Sequence, residues 1–201
     1  ISGNLNLKEN ELNVNANVPL FSYDGIIFNN IRLASRGNLD SLLANVDVDE
    51  ISINDSLQLP ASKLVFSSKN DISDISIKTR ASKTFGDAAI NARVQTLVDG
   101  AKIHFFPSSF IINDKKWELE KDGELTLSKS QVSANEVKFV QGNQQIVIST
   151  EPSEISNSHD VVIVLKEINV NDFIPFLFKT PKLEGIVTGN VRRTDPFGKQ
   201  F

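Results

Sequence analysis

Apolar and polar residues alternate along much of this chain. Residues 12–18 read Leu-Asn-Val-Asn-Ala-Asn-Val, and a period of two places every apolar side chain on one face of an extended strand. The pattern therefore predicts a sheet with an apolar face and a polar face. The apolar positions of its clearest strands are Val14, Ala16, Val46, Val48, Ile75, Ile77, Ile90, Val94, Leu125, Leu127, Val137, Phe139, Ile146 and Ile148.

Turn-forming residues interrupt the alternation about every ten positions, which is typical of an all-β fold. Lys-Asp-Gly at 121–123 and Gln-Gly-Asn at 141–143 each predict a hairpin between the strands on either side. The apolar phase slips at Asn29 and Asn30, which predicts a β-bulge.

One short helix is predicted near 171–179. Asn171 is the expected cap, and Asp172 lies in the first turn. No linker or low-complexity stretch divides the chain, so residues 1–201 are predicted to form a single continuous β segment. Because Ile1 is not a start methionine, we expect the segment to come from a longer protein whose membrane anchor lies outside it.

Composition argues against several classes of protein. The net charge is −4 and the pI about 5.3, whereas a nucleic-acid binder needs a basic surface. No apolar run approaches the roughly 20 residues of a transmembrane helix. The chain has no cysteine, which excludes disulfide and thiol chemistry.

The sequence offers little catalytic chemistry. The two histidines, His104 and His159, are far apart, and His104 is expected on the polar face of a strand. Asp47 and Asp49 share a face and could bind Ca²⁺ weakly, although a solvated strand face explains them better. No phosphate-binding glycine loop or nucleophile elbow occurs. We therefore predict a protein that is not an enzyme and that has no cofactor and no metal site.

The single tryptophan, Trp117, alternates in phase with Leu119. This phase favours a position in the core at one end of a sheet. Stacking against a ligand is the alternative role for Trp117.

The second half of the chain carries a succession of motifs. Phe-Pro-Ser-Ser-Phe-Ile-Ile-Asn at 106–113 precedes Trp117, the predicted helix begins near Val170, and Leu-Glu-Gly-Ile-Val-Thr-Gly-Asn follows at 183–190. In this order, and best over residues 100–193, the chain resembles the TamB branch of the AsmA-like proteins (translocation and assembly module) of diderm bacterial envelopes. The first hundred residues share only the alternating texture.

This resemblance implies an elongated, mainly antiparallel curved sheet that forms an open apolar trough of the β-taco kind. It further implies a periplasmic bridge that is anchored in the inner membrane through segments outside this chain. Such proteins work with an Omp85-type outer-membrane partner in phospholipid transport, outer-membrane protein assembly, or both. The expected ligand is then an acyl chain or phospholipid lying against the apolar positions, and no nucleic acid is expected.

Two other hypotheses remain open from the residues alone. The first is a closed β-sandwich that serves as a binding or adhesion module. The second is a scaffold or chaperone that captures strands at an exposed edge, such as the strand ending near Val191. Solvent accessibility at Val14, Val46 and Val94 distinguishes an open trough from a closed sandwich.

Overall fold

The computed structural model describes residues 1–6, 8–53, 58–80, 85–120, 123–128, 131–154, 159–177 and 184–194. These residues form mostly strands, as the alternation predicts. The strands are β1 (Ser2–Asn6), β2 (Glu11–Tyr23), β3 (Ile26–Gly37), β4 (Ser41–Ser52), β5 (Gln58–Lys69), β6 (Ile72–Thr79), β7 (Phe85–Leu97), β8 (Gly100–Phe105), β9 (Ser108–Ile112), β10 (Lys115–Leu119), β11 (Glu124–Ser128), β12 (Val132–Asn135), β13 (Val137–Gln141), β14 (Gln144–Pro152), β15 (His159–Asn169) and β16 (Ile186–Arg193).

The strands belong to one open antiparallel sheet. Its main path runs in the order β1-β2-β3-β4-β5-β6-β7-β9-β10-β13-β14-β15-β16, while β8, β11 and β12 branch from β7. Within the described residues the only helix is α1 (Val170–Leu177). The all-β class, the antiparallel sheet and the single short helix are thereby confirmed. Residues 178 and 179 of the predicted helix lie outside the described residues.

The chain divides into two compact units. The first comprises residues 1–91 and 110–114, and the second comprises residues 92–109 and 115–201. The prediction of one continuous segment over 1–201 stays a prediction.

The first unit contains a meander in which β2 to β6 each pair with the strand next in sequence. Among the described residues of this unit, the extensive contacts of each of these strands are with its neighbours in the sheet. Within these described residues, β2 to β6 therefore form a single layer.

One irregularity crosses this meander. Asn30 in β3 and Ala61 in β5 have φ values of 51° and 47°, which lie in the left-handed region. Asn30 lies where the bulge is predicted, but the pairing of β3 with β4 continues in the same register on both sides of it. The phase slip therefore reflects a locally twisted strand rather than an inserted residue.

The second unit has two layers in part. Strand β12 pairs with β11 and also contacts β14 and β15, with which it shares no ladder. The Ala134 amide of β12 donates to Thr150 Oγ1 of β14 at 3.0 Å. A second layer thus covers one end of β14 and β15.

The two predicted hairpins have different outcomes. The turn at 141–143 joins β13 to β14 as predicted, with Gly142 at a φ of 56°. The hairpin predicted at 121–123 is wrong, because β10 pairs with β13 whereas β11 pairs with β8 and β12. The local turn signal was overridden by pairing between strands distant in sequence.

The helix begins one residue earlier than predicted, and its cap differs. The Asn169 side chain accepts a hydrogen bond from the Asn171 amide at 3.1 Å, which is the geometry of an N-cap. Asn169 therefore caps α1, and Asn171 lies inside the first turn.

Candidate functional site

An apolar surface that crosses five strands lies on one face of β2 to β6, which we call the open face. Residues opposite each other in adjacent antiparallel strands point to the same side, so the strand registers arrange this face in rows that cross the strands. The four rows, one residue per strand from β2 to β6, are row 1 (Leu12, Gly37, Leu42, Ser68, Ser73), row 2 (Val14, Ser35, Ala44, Phe66, Ile75), row 3 (Ala16, Leu33, Val46, Leu64, Ile77) and row 4 (Val18, Ile31, Val48, Ser62, Thr79).

Row 3 is apolar on all five strands. Its members from Ala16 to Leu64 are half-buried, and Ile77 at its end is 44% exposed. Row 4 is more buried, with Val48 and the hydroxyl residue Ser62 each 8% exposed. Solvent therefore reaches the side chains of row 3, whereas part of row 4 is buried.

The opposite face of the same strands is mostly polar, although Leu43 and Val65 also lie on it. One of its rows runs from Asn17 through Arg32, Asp47 and Lys63 to Lys78. Alternation has therefore separated apolar and charged side chains onto opposite sides of one layer.

Charge pairing on this polar face is local. Arg32 donates to Asp49 Oδ1 at 2.6 Å. This hydrogen bond lowers the pKa of the Asp49 carboxyl and raises the pKa of the Arg32 guanidinium. Both side chains are about half exposed, so this is a surface ion pair.

A second apolar surface lies on β8, β11, β12 and residues 92–97 of β7, all in the second unit. Its central row is Val94, Ile103, Leu125 and Ala134. The opposite face of these strands places His104 beside Glu124, with Nδ1 and Oε1 3.6 Å apart. A hydrogen bond from Lys102 is the main cause that lowers the pKa of the Glu124 carboxyl. His104 therefore occupies the polar face, as predicted.

A third apolar surface, which we call the covered face, lies on β10, β13, β14 and β15. Phe139 is paired with Leu119 and Ile146, and Val137 is paired with Ile148. Trp117 is fully buried, and the centroid of its ring lies 5.4 Å from that of Phe173 of α1 in an edge-to-face arrangement. The helix thus covers this end of the face, and the predicted core position of Trp117 is confirmed.

A buried carboxylate anchors the helix. Asp172 is 1% exposed, and its two carboxylate oxygens accept from Lys115 Nζ at 2.9 and 2.8 Å. Gln144 Nε2 also donates to Asp172 at 3.3 Å, while its Oε1 accepts from the Asn169 amide at 2.6 Å. This network joins α1 to β10 and β14 by charge-assisted hydrogen bonds.

The structure distributes the predicted groove residues over these three surfaces. Ile90 of β7 extends the open face by one strand, because its neighbour Asn91 accepts a hydrogen bond from Ser76 on the polar side of β6. Most of the predicted residues are half-buried, but Val48 and Val137 are buried. The open face holds Val14, Ala16, Val46, Val48, Ile75, Ile77 and Ile90; the second surface holds Val94, Leu125 and Leu127; the covered face holds Val137, Phe139, Ile146 and Ile148.

The sequence patterns did not predict two groups of residues that the structure brings together. Leu33 and Leu64 complete row 3 but were not among the predicted groove residues. Hairpin registers, drawn out from each turn, would have placed them opposite Val46. The pairing of Asp172 with Lys115 joins residues 57 positions apart, and no local pattern announces it.

Within the described residues, no group of three or more histidine, aspartate or glutamate side chains is arranged to hold a metal ion. Among the same residues, no helix combines the length and apolarity needed to span a bilayer. Comparisons of the chain with protein-family models, with curated proteins and with solved structures find no match.

Proposed function

We propose that this chain is a segment of a non-enzymatic periplasmic bridge whose open face conducts phospholipid acyl chains between the inner and outer membranes. The observation that carries the proposal is row 3, an uninterrupted apolar line across five strands of a single layer. The resemblance to AsmA-like proteins supports the same function. Support of outer-membrane protein assembly, with an Omp85-type partner, belongs to the proposal as well.

The free energies of burying an acyl chain favour its transfer along the open face rather than its storage there. Complete burial of a methylene group stabilises it by about 0.8 kcal/mol, so a single-layer face that covers one side of a chain contributes roughly half of that. A bilayer interior contributes the whole amount. The open face therefore lowers the cost of leaving a bilayer without trapping the lipid, and its row of aliphatic side chains offers no polar atom that would hold one position.

The proposal is tested by placing a photo-crosslinking amino acid at Val46 and, separately, at Asp47 in cells. These neighbours lie on opposite faces of β4, on row 3 and on the charged row respectively. We expect phospholipid to attach at Val46 and not at Asp47. Val137 on the covered face, which is 5% exposed, is the control for a buried apolar position, and we expect no lipid there.

Two results would contradict the proposal. Capture of lipid at Asp47 as strongly as at Val46 would indicate that lipid adsorbs to both faces of β4 and is not conducted along the open face. Crosslinks from Val46 that reach only other residues of this chain would indicate that the open face is a closed core in the cell.

A second candidate function is capture of an extended strand at an edge. All eight residues of β16 are exposed, and Val191 is 58% exposed. In the described part of the chain β16 pairs only with β15, which leaves its second edge available for another strand. A photo-crosslinking amino acid at Val191 that captures outer-membrane protein strands would support this function, and capture of lipid alone would oppose it.

A further inference from the structure

We infer that β5 and β6 form a constriction of the open face that lets hydrocarbon pass only along rows 2 and 3, and that the chain lies across the strands. This inference rests on the proposed function, since it specifies the path of the same ligand on the same face. The relevant observations are the number of apolar side chains that each strand contributes and the positions of the hydroxyl groups.

The width of the apolar band differs from strand to strand, and it stays narrow over the adjacent strands β5 and β6. Successive residues on one side of a strand are about 6.7 Å apart, so four rows span about 20 Å and two rows about 7 Å. Strands β2 and β4 contribute four apolar side chains each, whereas β5 and β6 contribute two each. Strand β3 also contributes two, Ile31 and Leu33, with Ser35 in row 2 and Gly37 in row 1. The two on β5 are Leu64 and Phe66, and the two on β6 are Ile75 and Ile77.

Hydroxyl pairs bound the narrow part on both sides. In row 4, Ser62 Oγ donates to Thr79 Oγ1 at 3.0 Å, and Thr79 donates to the Pro60 carbonyl at 3.2 Å. In row 1, Ser73 Oγ donates to Ser68 Oγ at 3.0 Å. Because these groups satisfy each other between strands, they form polar borders that present little apolar area to a methylene group.

The length of row 3 agrees with a chain lying across the strands. Five strands about 4.8 Å apart span about 19 Å. One leaflet of a bilayer, which is half of a hydrocarbon core about 30 Å thick, is about 15 Å. Row 3 is therefore long enough to hold one acyl chain along its length, whereas a chain parallel to β5 would cross both hydroxyl borders.

The test uses the whole 201-residue chain, with a photo-crosslinking amino acid at Ile77, and vesicles of palmitoyl-oleoyl phosphatidylethanolamine and phosphatidylglycerol as the probe. Leu64→Asp places a carboxylate on row 3 next to Ile77. Ser68→Asp is the matched control, because it changes the same strand on the same face but outside rows 2 and 3. We expect Leu64→Asp to reduce lipid capture at Ile77 at least tenfold and Ser68→Asp to change it less than twofold.

A second blocking variant separates blockage from misfolding. Leu33→Asp breaks the same row on β3, and circular dichroism confirms that each variant keeps its strand content. Loss of capture in Leu64→Asp and Leu33→Asp, with capture retained in Ser68→Asp, supports the constriction. An equal loss in Ser68→Asp overturns the constriction but leaves lipid binding standing. Failure of the unsubstituted chain to capture lipid at both Val46 and Ile77 overturns the proposed function itself.

Discussion

The open face of β2 to β6 and the covered face of β10, β13, β14 and β15 come from the same alternation of apolar and polar residues, but they end in different environments. On the open face, row 3 stays half-buried in a single layer. On the covered face, Trp117 is fully buried beneath Phe173 of α1, and β12 packs on β14 and β15. Alternation decides which side chains share a face, and the presence of a covering element decides whether that face becomes a core.

The covering elements have their own polar anchors. The helix is only eight residues long, which is too short to be stable by itself. The pairing of Asp172 with Lys115 and the N-cap Asn169 hold it in place. On β2 to β6, hydroxyl pairs occur at the borders of rows instead, where they limit the apolar band without covering it.

The largest expected contrast comes from the same truncation in both regions. Leu119→Ala on the covered face, where Leu119 is 3% exposed, should lower the free energy of unfolding by about 3–4 kcal/mol because it leaves a cavity. Leu64→Ala on the open face should cost only about 1 kcal/mol because the half-buried site leaves none. Urea unfolding followed by Trp117 fluorescence measures the first, and hydrogen exchange of the β5 amides measures the second. Equal costs would show that the open face is packed like a core.

The next effect concerns the anchor of α1. Lys115→Met should destabilise the second unit by about 3 kcal/mol, because it leaves the buried Asp172 carboxylate without its cation. The matched control is Lys116→Met, whose partner Glu118 is exposed, with an expected change below about 0.5 kcal/mol. Trp117 is the only tryptophan and contacts Phe173, so its fluorescence reports undocking of the helix. A similar effect of both substitutions would contradict the role of the ion pair.

Widening the narrow part of the open face should change lipid capture rather than stability. Replacement of both Ser62 and Ser68 by valine removes one hydroxyl from each border. We therefore expect capture by a photo-crosslinking amino acid at Leu42, which is paired with residue 68 in row 1, to rise several-fold. Ser67→Val, on the polar face of the same strand, should leave that capture unchanged. No change in the double variant would mean that the hydroxyl borders do not confine the hydrocarbon.

The smallest effect is a titration on the polar face. Because Arg32 lowers the pKa of Asp49, the contribution of this pair to stability is present above the ordinary aspartate pKa and is lost as the pH falls through the lowered value. Arg32→Gln should return the Asp49 pKa towards its ordinary value in an NMR titration. Arg36→Gln, two rows away on the same face, should not move it. An unchanged Asp49 pKa in Arg32→Gln would contradict the assigned cause.

Local patterns were sufficient for much of the first unit and for less of the second. Alternation placed Val14, Ala16 and Val46 correctly on one face, because the strands there pair with their neighbours in sequence. The hairpin predicted at 121–123 failed because β11 finds its partners in β8 and β12. The ion pair of Asp172 with Lys115 could not be predicted from the sequence either. The fold, and not a short spacing along the chain, brings the two residues together.

The nearest-neighbour pairing of β2 to β6 also bears on how such a chain grows during evolution. Since each strand makes its extensive contacts with the strands beside it, its stability is close to a sum of local terms, as in repeat proteins. Duplication of a hairpin would lengthen every row by two residues and leave existing pairs intact. An insertion of a single residue within a strand would instead invert the faces of the residues beyond it. Whole hairpins are therefore the unit in which natural selection can adjust the reach of this surface.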